Sequence, residues 1–232
     1  MDYVVVIPAA GQGKRMQAGK NKQFLMLQGI PLIVHTLRIF EKDDWCSGII
    51  LVGNKNELNE LEQVVRQYDV QKVQKIVPGG KERQHSVYEG LNAVEGADLV
   101  LIHDGARPFV SQESIHQLVR ETSVSGAAVL GVPIKDTVKQ IKGKKVVKTV
   151  DRNSLWAVQT PQAFHLPLIL QAHKTAMEKG WLGTDDASLM ELVHQGVSIV
   201  EGDYLNIKLT TQEDLLFAKA IILEREEQQN NV

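Results

Sequence analysis

Five short apolar runs punctuate the first 130 positions, at residues 4–7, 49–52, 73–77, 99–102 and 127–130. Strands read this way when both faces are buried, as in a parallel sheet covered by helices on each side. The intervening segments carry helical spacing instead. Ile33, Leu37 and Phe40 share one face, Leu58, Leu61, Val64 and Val65 a second, and Ile115, Leu118 and Val119 a third. The alternation predicts an α/β fold with a mainly parallel sheet flanked by helices. With no internal repeat, low-complexity tract or linker, residues 1–232 are read as one domain.

Two helix starts are marked by caps. Ser111 precedes Gln112 and Glu113, and Thr211 stands three residues before Asp214, close to a capping box. The last helix is expected over about 212–227, with the polar residues 228–232 frayed. Residues 134–150, IKDTVKQIKGKKVVKTV, break the alternation with two strand-like arms around Gly143. Six lysines crowd this hairpin beside Val138, Ile141, Val146 and Val147. It reads as a solvated hairpin whose lysines guard its edges, or as an arm that pairs with another subunit, because a lone two-stranded ribbon is marginal in water. A nucleic-acid arm is disfavoured, since no aromatic side chain is interleaved for base stacking.

Charge and cysteine content narrow the chemistry. The net charge of −2, from 26 basic and 28 acidic residues, gives no general field for nucleic acid, so any anion site is local. Cys46 is the sole cysteine, which excludes an internal disulfide and a multi-cysteine metal cage, and it is read as a structural thiol. No apolar run approaches the ~20 residues of a membrane span, and the opening residues lack a signal-peptide pattern. A cytoplasmic protein with no membrane partner is expected.

In an open α/β sheet, ligands bind beyond the carboxyl ends of the strands. Three loops of unusual composition follow the first, third and fourth runs: PAAGQGKR at 8–15, PGGKERQHS at 78–86 and HDGARP at 103–108. The first is not a dinucleotide fingerprint, because Met16 stands where the third glycine belongs, and it lacks the Gly-Lys-Ser/Thr ending of a nucleoside triphosphate loop. Its small residues permit close backbone approach, and Lys14, Arg15 and Lys22 bring charge, so it reads as a polyphosphate cradle or an ordinary tight turn. Asp104 should emerge at a strand end, where it is either a Mg²⁺ ligand or a turn aspartate. His103 reads as a buried, hydrogen-bonded imidazole. No metal-binding histidine spacing and no serine-hydrolase elbow occurs. A site of glycines, cations and one acid, without a nucleophile, suits phosphoryl or nucleotidyl transfer.

Seven motifs in order carry a resemblance: PAAGQGKRM (8–16), NKQF (21–24), GGKERQHSV (79–87), HDGARP (103–108), DRNSLWAVQTPQ (151–162), TDD (184–186) and NIKLT (206–210). Together the chain resembles the 2-C-methyl-D-erythritol 4-phosphate cytidylyltransferases over nearly its whole length. The resemblance implies a Rossmann-like nucleotidyltransferase fold and a homodimer formed through a protruding β-arm at about 134–150. The implied reaction joins CTP to methylerythritol phosphate with release of pyrophosphate, in the non-mevalonate isoprenoid pathway. Carried over by position, Arg15 and Lys22 would stabilise charge on the triphosphate. Ala9, Ala10, Gly11, Gly80 and Ser86 would hold base and ribose, with Ala106 and Arg107 shaping the wall. Asp104 would sit beside Mg²⁺. Arg152, Thr137 and Thr160 would reach in from the neighbouring subunit to the polyol phosphate, and Thr184 and Lys208 would complete that pocket.

Two alternatives stay open on the sequence. A ribitol 5-phosphate cytidylyltransferase of wall-polymer synthesis shares fold and chemistry, although its first loop usually reads closer to AGGTGxRM. A non-catalytic nucleotide-binding module would be expected to lose Arg15, Lys22 or Asp104, all of which are kept. NAD-dependent redox chemistry fails at Met16.

Overall fold

The computed structural model describes residues 1–11 and 21–230. In chain order the elements are β1 (Tyr3–Pro8), a short pair β2 (Met26–Leu27) and β3 (Ile30–Pro31), α1 (Leu32–Glu41), β4 (Cys46–Gly53), α2 (Leu58–Gln67), β5 (Val73–Pro78), α3 (Arg83–Asn92) and β6 (Leu99–Ile102). The second half adds α4 (Gln112–Ser125), β7 (Ala127–Pro133), β8 (Val138–Lys142), β9 (Lys145–Val150), β10 (Trp156–His165), α5 (Leu166–Lys179), α6 (Asp186–Leu192), β11 (Ser198–Glu201) and α7 (Gln212–Asn230).

The main sheet has the order β11-β7-β10-β6-β1-β4-β5. β1 pairs in parallel with β4 and β6, β4 with β5, and β7 with β11. The period-2 geometry of a strand explains the unbroken apolar runs. Tyr3, Val5 and Ile7 pack into a core with Ile33, Leu37 and Phe40 of α1 and with Ile115, Leu118 and Val119 of α4. Val4 and Val6 point the other way, into a second core with Val87 and Leu91 of α3 and with Ile169, Ala172 and Ala176 of α5. A third cluster seats α7, through Ala218 and Ile221, against Leu27, Leu32, Phe109 and Leu209.

Close packing has a price at Gly90, on the face of α3 that meets the sheet. A Cβ there would lie 2.4 Å from Val6 Cγ1 and 2.8 Å from Val52 Cγ2. We expect Gly90→Ala to lower stability by roughly 1–2 kcal/mol, overpacking outrunning alanine's helix preference. A urea midpoint unchanged or raised in that variant would refute this account of the contact.

Several sequence expectations are refined. The strand β10 has no forerunner among the apolar runs, and it lies antiparallel between β6 and β7. Ser111 caps α4, accepting from the Ser114 N–H at 3.1 Å. The Asp214 carboxylate accepts from the Thr210 and Thr211 N–H groups, and the Asp214 N–H donates to Thr211 Oγ1. The helix that Asp214 opens runs to Asn230 rather than ending near 227, because its Glu- and Gln-rich tail favours helix and holds no Gly or Pro stop. On α2 only Leu61 is fully buried, and Leu58, Val64 and Val65 are half-buried. Cys46 is buried, and that burial pushes its thiol up to about 12, as expected of an inert group.

Residues 138–150 form the anticipated hairpin, a two-stranded sheet outside the main one, with Gly143 at φ +62° in its turn. Ile141, Val146 and Val147 are each more than half exposed on it.

Candidate functional site

The strand order reverses between β1 and β6: the chain runs outward from β1 to β4 and β5, then returns to place β6 on β1's other side. Such a switch point opens a crevice at the carboxyl ends of the two strands. A cavity of about 410 Å³ lies there, within the range that holds a nucleotide-sized ligand. The three loops singled out in the sequence meet in it. Ala10 and Gly11 follow β1, Gly80, Lys81, Glu82, Arg83 and Ser86 span the β5–α3 junction, and Asp104, Gly105 and Ala106 follow β6. Lys22, Gln23, Lys208 and Thr210 close the rim.

The β5–α3 corner is built without side chains for a steric reason. A Cβ on Gly79 would come within 2.6 Å of Ala10 Cβ and 2.8 Å of Ser86 Oγ, and one on Gly80 within 2.4 Å of His85 Cβ. The Gly80 N–H donates to Ser86 Oγ at 3.1 Å, which holds the glycine backbone against the first turn of α3. Glu82 and His85 form a capping box on that turn. The cavity wall is therefore exposed backbone, able to approach a base and ribose closely.

Asp104 is the electrostatic centre. Its carboxylate lies 3.2 Å from Arg83 Nε and 2.5 Å from Lys208 Nζ. Burial alone would raise its pKa, and the two cations outweigh that, holding it well below the usual carboxylate range. Arg83 also reaches Asp186 at the start of α6, with Nη1 2.7 Å from Oδ2, so one guanidinium joins two buried carboxylates. The Asp104 N–H donates to Thr160 Oγ1 at 3.1 Å, and Thr160 Oγ1 lies 3.3 Å from His103 Nδ1. His103 Nε2 contacts the Arg107 carbonyl at 2.8 Å, and burial drives the imidazole down to about 4. It is buried and hydrogen-bonded, as the sequence suggested, and neutral at physiological pH.

The sequence-predicted residues divide into three groups. Ala10, Gly11, Lys22, Gly80, Ser86, Asp104, Ala106 and Lys208 line the cavity together. Ala9 is buried behind it, its N–H donating to the Val52 carbonyl at 2.7 Å, and Arg107 donates to the Asn206 carbonyl at 2.6 Å. Thr137, Arg152 and Thr184 are exposed and do not line it. Arg15 lies outside the described residues.

Two expectations change. Thr160 does not reach toward another subunit: it is buried on β10, in the middle of the chain's own sheet, bonded to the backbone of Asp104. Lys208 sits on Asp104 in the same cavity as Lys22, which Thr184 does not line. Sequence reading passed over Arg83, Gln23 and Asp186. Arg83 and Gln23 stood inside quoted motifs, but no linear spacing tells that α3 and α6 bring Arg83 onto Asp186.

The donor set fits one kind of cation. Among the described residues no group of three or more His, Cys, Asp or Glu gathers to cage a metal. The Asp104 carboxylate, whose two oxygens keep lone pairs beyond those facing Arg83 and Lys208, suits one ligand position on a Mg²⁺ held chiefly by phosphate oxygens and water. Four cations (Lys22, Lys81, Arg83 and Lys208) against two carboxylates among the described lining residues give the cavity a net positive lining, of the kind that suits a polyphosphate. No helix among the described residues is long and apolar enough to cross a membrane.

Comparison with known proteins gives one answer throughout. A family model described as 2-C-methyl-D-erythritol 4-phosphate cytidylyltransferase matches residues 3–224. Proteins of that name from Halalkalibacterium halodurans and Bacillus velezensis are 56% and 58% identical, covering 97% and 96% of this chain and 99% and 96% of their own. The solved structure of a 4-diphosphocytidyl-2C-methyl-D-erythritol synthase from Anaerococcus prevotii is 33% identical, with a TM-score of 0.84 and 96% of both chains covered. That of the cytidylyltransferase from Thermus thermophilus is 32% identical, with a TM-score of 0.80 over 95% of this chain and 98% of that one.

Proposed function

The chain belongs to the 2-C-methyl-D-erythritol 4-phosphate cytidylyltransferase family, and from that premise we propose how its residues divide the work. The enzyme is a nucleotidyltransferase of isoprenoid precursor synthesis that joins CTP to methylerythritol phosphate and releases pyrophosphate. The observation that carries the residue assignment is Asp104, clamped between Arg83 and Lys208 at the β1/β6 switch point and opening on a cationic cavity.

Cytosine and ribose lie against the backbone wall of Ala10, Gly11, Gly80 and Ser86. The triphosphate runs toward Lys22 and Arg15. Asp104 would hold a divalent cation there, and the cation would supply neutralisation of phosphate charge. An oxygen of the acceptor's phosphate attacks the α-phosphorus in line, forming the new O–P bond as the bond to pyrophosphate breaks. The acceptor is its own nucleophile, so positioning and charge are what the protein supplies. Thr160 and His103 act from behind, fixing the Asp104 backbone. The cytoplasm, which supplies CTP, is the compartment this chemistry needs.

Thr137 and Arg152 act on a second protomer in this reading. They flank the hairpin, Arg152 donating to the Lys135 carbonyl, away from the cavity of their own chain. The exposed Ile141, Val146 and Val147 give the hairpin an apolar surface to bury in a homodimer. Lys135 stacks on Tyr204, whose hydroxyl donates to the Pro133 carbonyl, so the base of the arm is braced.

Pyrophosphate release with CTP and Mg²⁺ tests the assignment, with methylerythritol 4-phosphate and ribitol 5-phosphate offered separately. Release is expected with the first, and release with the second alone would move the enzyme to wall-polymer synthesis. Arg152→Ala should raise KM for methylerythritol phosphate about tenfold or more, as a charge-assisted contact is lost, and leave KM for CTP within twofold. A rise in KM for CTP alone would remove Arg152 from the acceptor site.

A further inference from the structure

Lys208 meets Asp104 at 2.5 Å from a segment, residues 206–210, that belongs to no helix or strand. A lysine ends in a flexible four-carbon stem, so a defined place for its ammonium demands a defined place for its backbone. Two anchors bracket it. On one side Leu209, fully buried in the third core, donates its N–H to the Ala106 carbonyl at 2.8 Å. On the other stands Asn206, 1% exposed, whose Nδ2 donates to the Thr160 carbonyl at 2.9 Å and to Gln159 Oε1 at 3.2 Å. The Asn206 carbonyl accepts from Arg107 Nη1 at 2.6 Å.

Asn206 finds its acceptors where β10 departs from regular pairing. β10 pairs with β7 at Val158 and again at Gln162, with a register shift between them, so the ladder skips residues 159–161 and their polar groups turn elsewhere. Gln159 Nε2 donates to the Asp203 carbonyl at 2.8 Å, which clasps the same segment a second time. Thr160 is shared between the two members of the ion pair. Its hydroxyl accepts from the Asp104 N–H, and its carbonyl accepts from Asn206. One residue thus supports the acid directly and the lysine through Asn206. A displacement of about 1 Å in that segment would carry the ammonium away from the carboxylate and from an incoming phosphate.

We propose that Asn206 is a positioning residue of this enzyme that acts through Lys208. Its amide ties the lysine's backbone to the strand that also holds Asp104, so acid and ammonium keep one geometry as the substrates enter. The inference rests on the cytidylyltransferase reading and deepens it by assigning the support on which the charge of Lys208 depends. Arg107 belongs to that support: it does not line the cavity, and it grips the Asn206 carbonyl.

The test is a double-mutant cycle on pyrophosphate release, with Asn206→Ala and Lys208→Met made alone and together. Asn206→Ala should lower kcat/KM for methylerythritol phosphate about tenfold, the loss of two ordinary hydrogen bonds. Once Lys208 is methionine, the same change should cost less than about twofold, because nothing remains for Asn206 to position. A merely structural asparagine would cost the same factor in both backgrounds, and that result overturns the proposal. So does an Asn206→Ala enzyme within about twofold of wild type, or a Lys208→Met enzyme with wild-type kcat/KM. Should the alanine variant fail to fold, Asn206→Ser, which keeps one donor, takes its place in the cycle and is read by the same criteria. A wild-type enzyme silent with methylerythritol phosphate would defeat the functional reading instead. The cycle is then read in the Kd for CTP with Mg²⁺ by calorimetry, where a loss confined to protein that keeps Lys208 sustains the proposal and equal losses, or none, overturn it.

Discussion

Arg83→Met is expected to cost about 3–5 kcal/mol of stability and to leave little turnover in whatever remains folded. The side chain joins Asp104 at 3.2 Å to Asp186 at 2.7 Å, and Asp186 is 1% exposed. Methionine fills similar volume but leaves Asp186 with only His173, 3.4 Å away, and Asp104 with only Lys208 at contact distance. A buried carboxylate stripped of its guanidinium is what makes such losses large. The pH dependence follows with a definite sign. Burial works to raise both carboxyls, and Arg83 leads the charges that hold them below their ordinary value of 3.8. A depressed carboxyl contributes stability that is fully present above its unfolded value and lost as pH falls toward its folded one. Wild type should therefore lose stability steeply below about pH 4, and Arg83→Met should show a shallower acid limb. Urea melts from pH 3 to pH 7 decide it: a variant within 1 kcal/mol of wild type at pH 7 would show that the double bridge is incidental.

How far a sequence discloses its site depends on whether the signal is local. The strands β1, β4, β5, β6 and β7 were legible because burial on both faces forces apolar residues to run together, and their carboxyl ends located three loops that do meet in one cavity. β10 was not legible, since its sequence WAVQTPQAFH mixes polar residues through a buried strand. Gln162 explains the mixture. Its carbonyl accepts from the Asp186 and Ala187 N–H groups and its amide donates to Asp185, so a polar side chain in the sheet serves as an anchor for α6. Thr160 is polar for a similar reason and was misplaced because its partner, the Asp104 N–H, lies on another strand's end. Arg83 shows the same limit: the motif reveals a cation near two glycines, and only the packing of α3 against α6 reveals what it holds.

Lys22→Ala should reduce kcat by about 10²–10³ and move Tm little, the signature of a group that acts on the reaction rather than on the fold. Lys22 is half-buried at the cavity rim, on a turn where Asn21 accepts from the Gln23 N–H and donates to Glu57. In the proposed mechanism its removal takes positive charge from the place where negative charge grows on the oxygens of the attacked phosphorus. Lys208 cannot replace it, because that ammonium is committed to Asp104 at 2.5 Å. Lys22→Arg separates charge from shape, since the planar guanidinium keeps the charge but spreads its donors in a fixed fork. Partial recovery in the arginine variant would show that charge dominates, and equal loss in both would show that the compact ammonium is required. Pyrophosphate release at saturating CTP and acceptor measures the effect alongside a thermal melt. Turnover within fivefold of wild type in Lys22→Ala would take the lysine out of the catalytic step and leave the charge on the α-phosphate to Arg15.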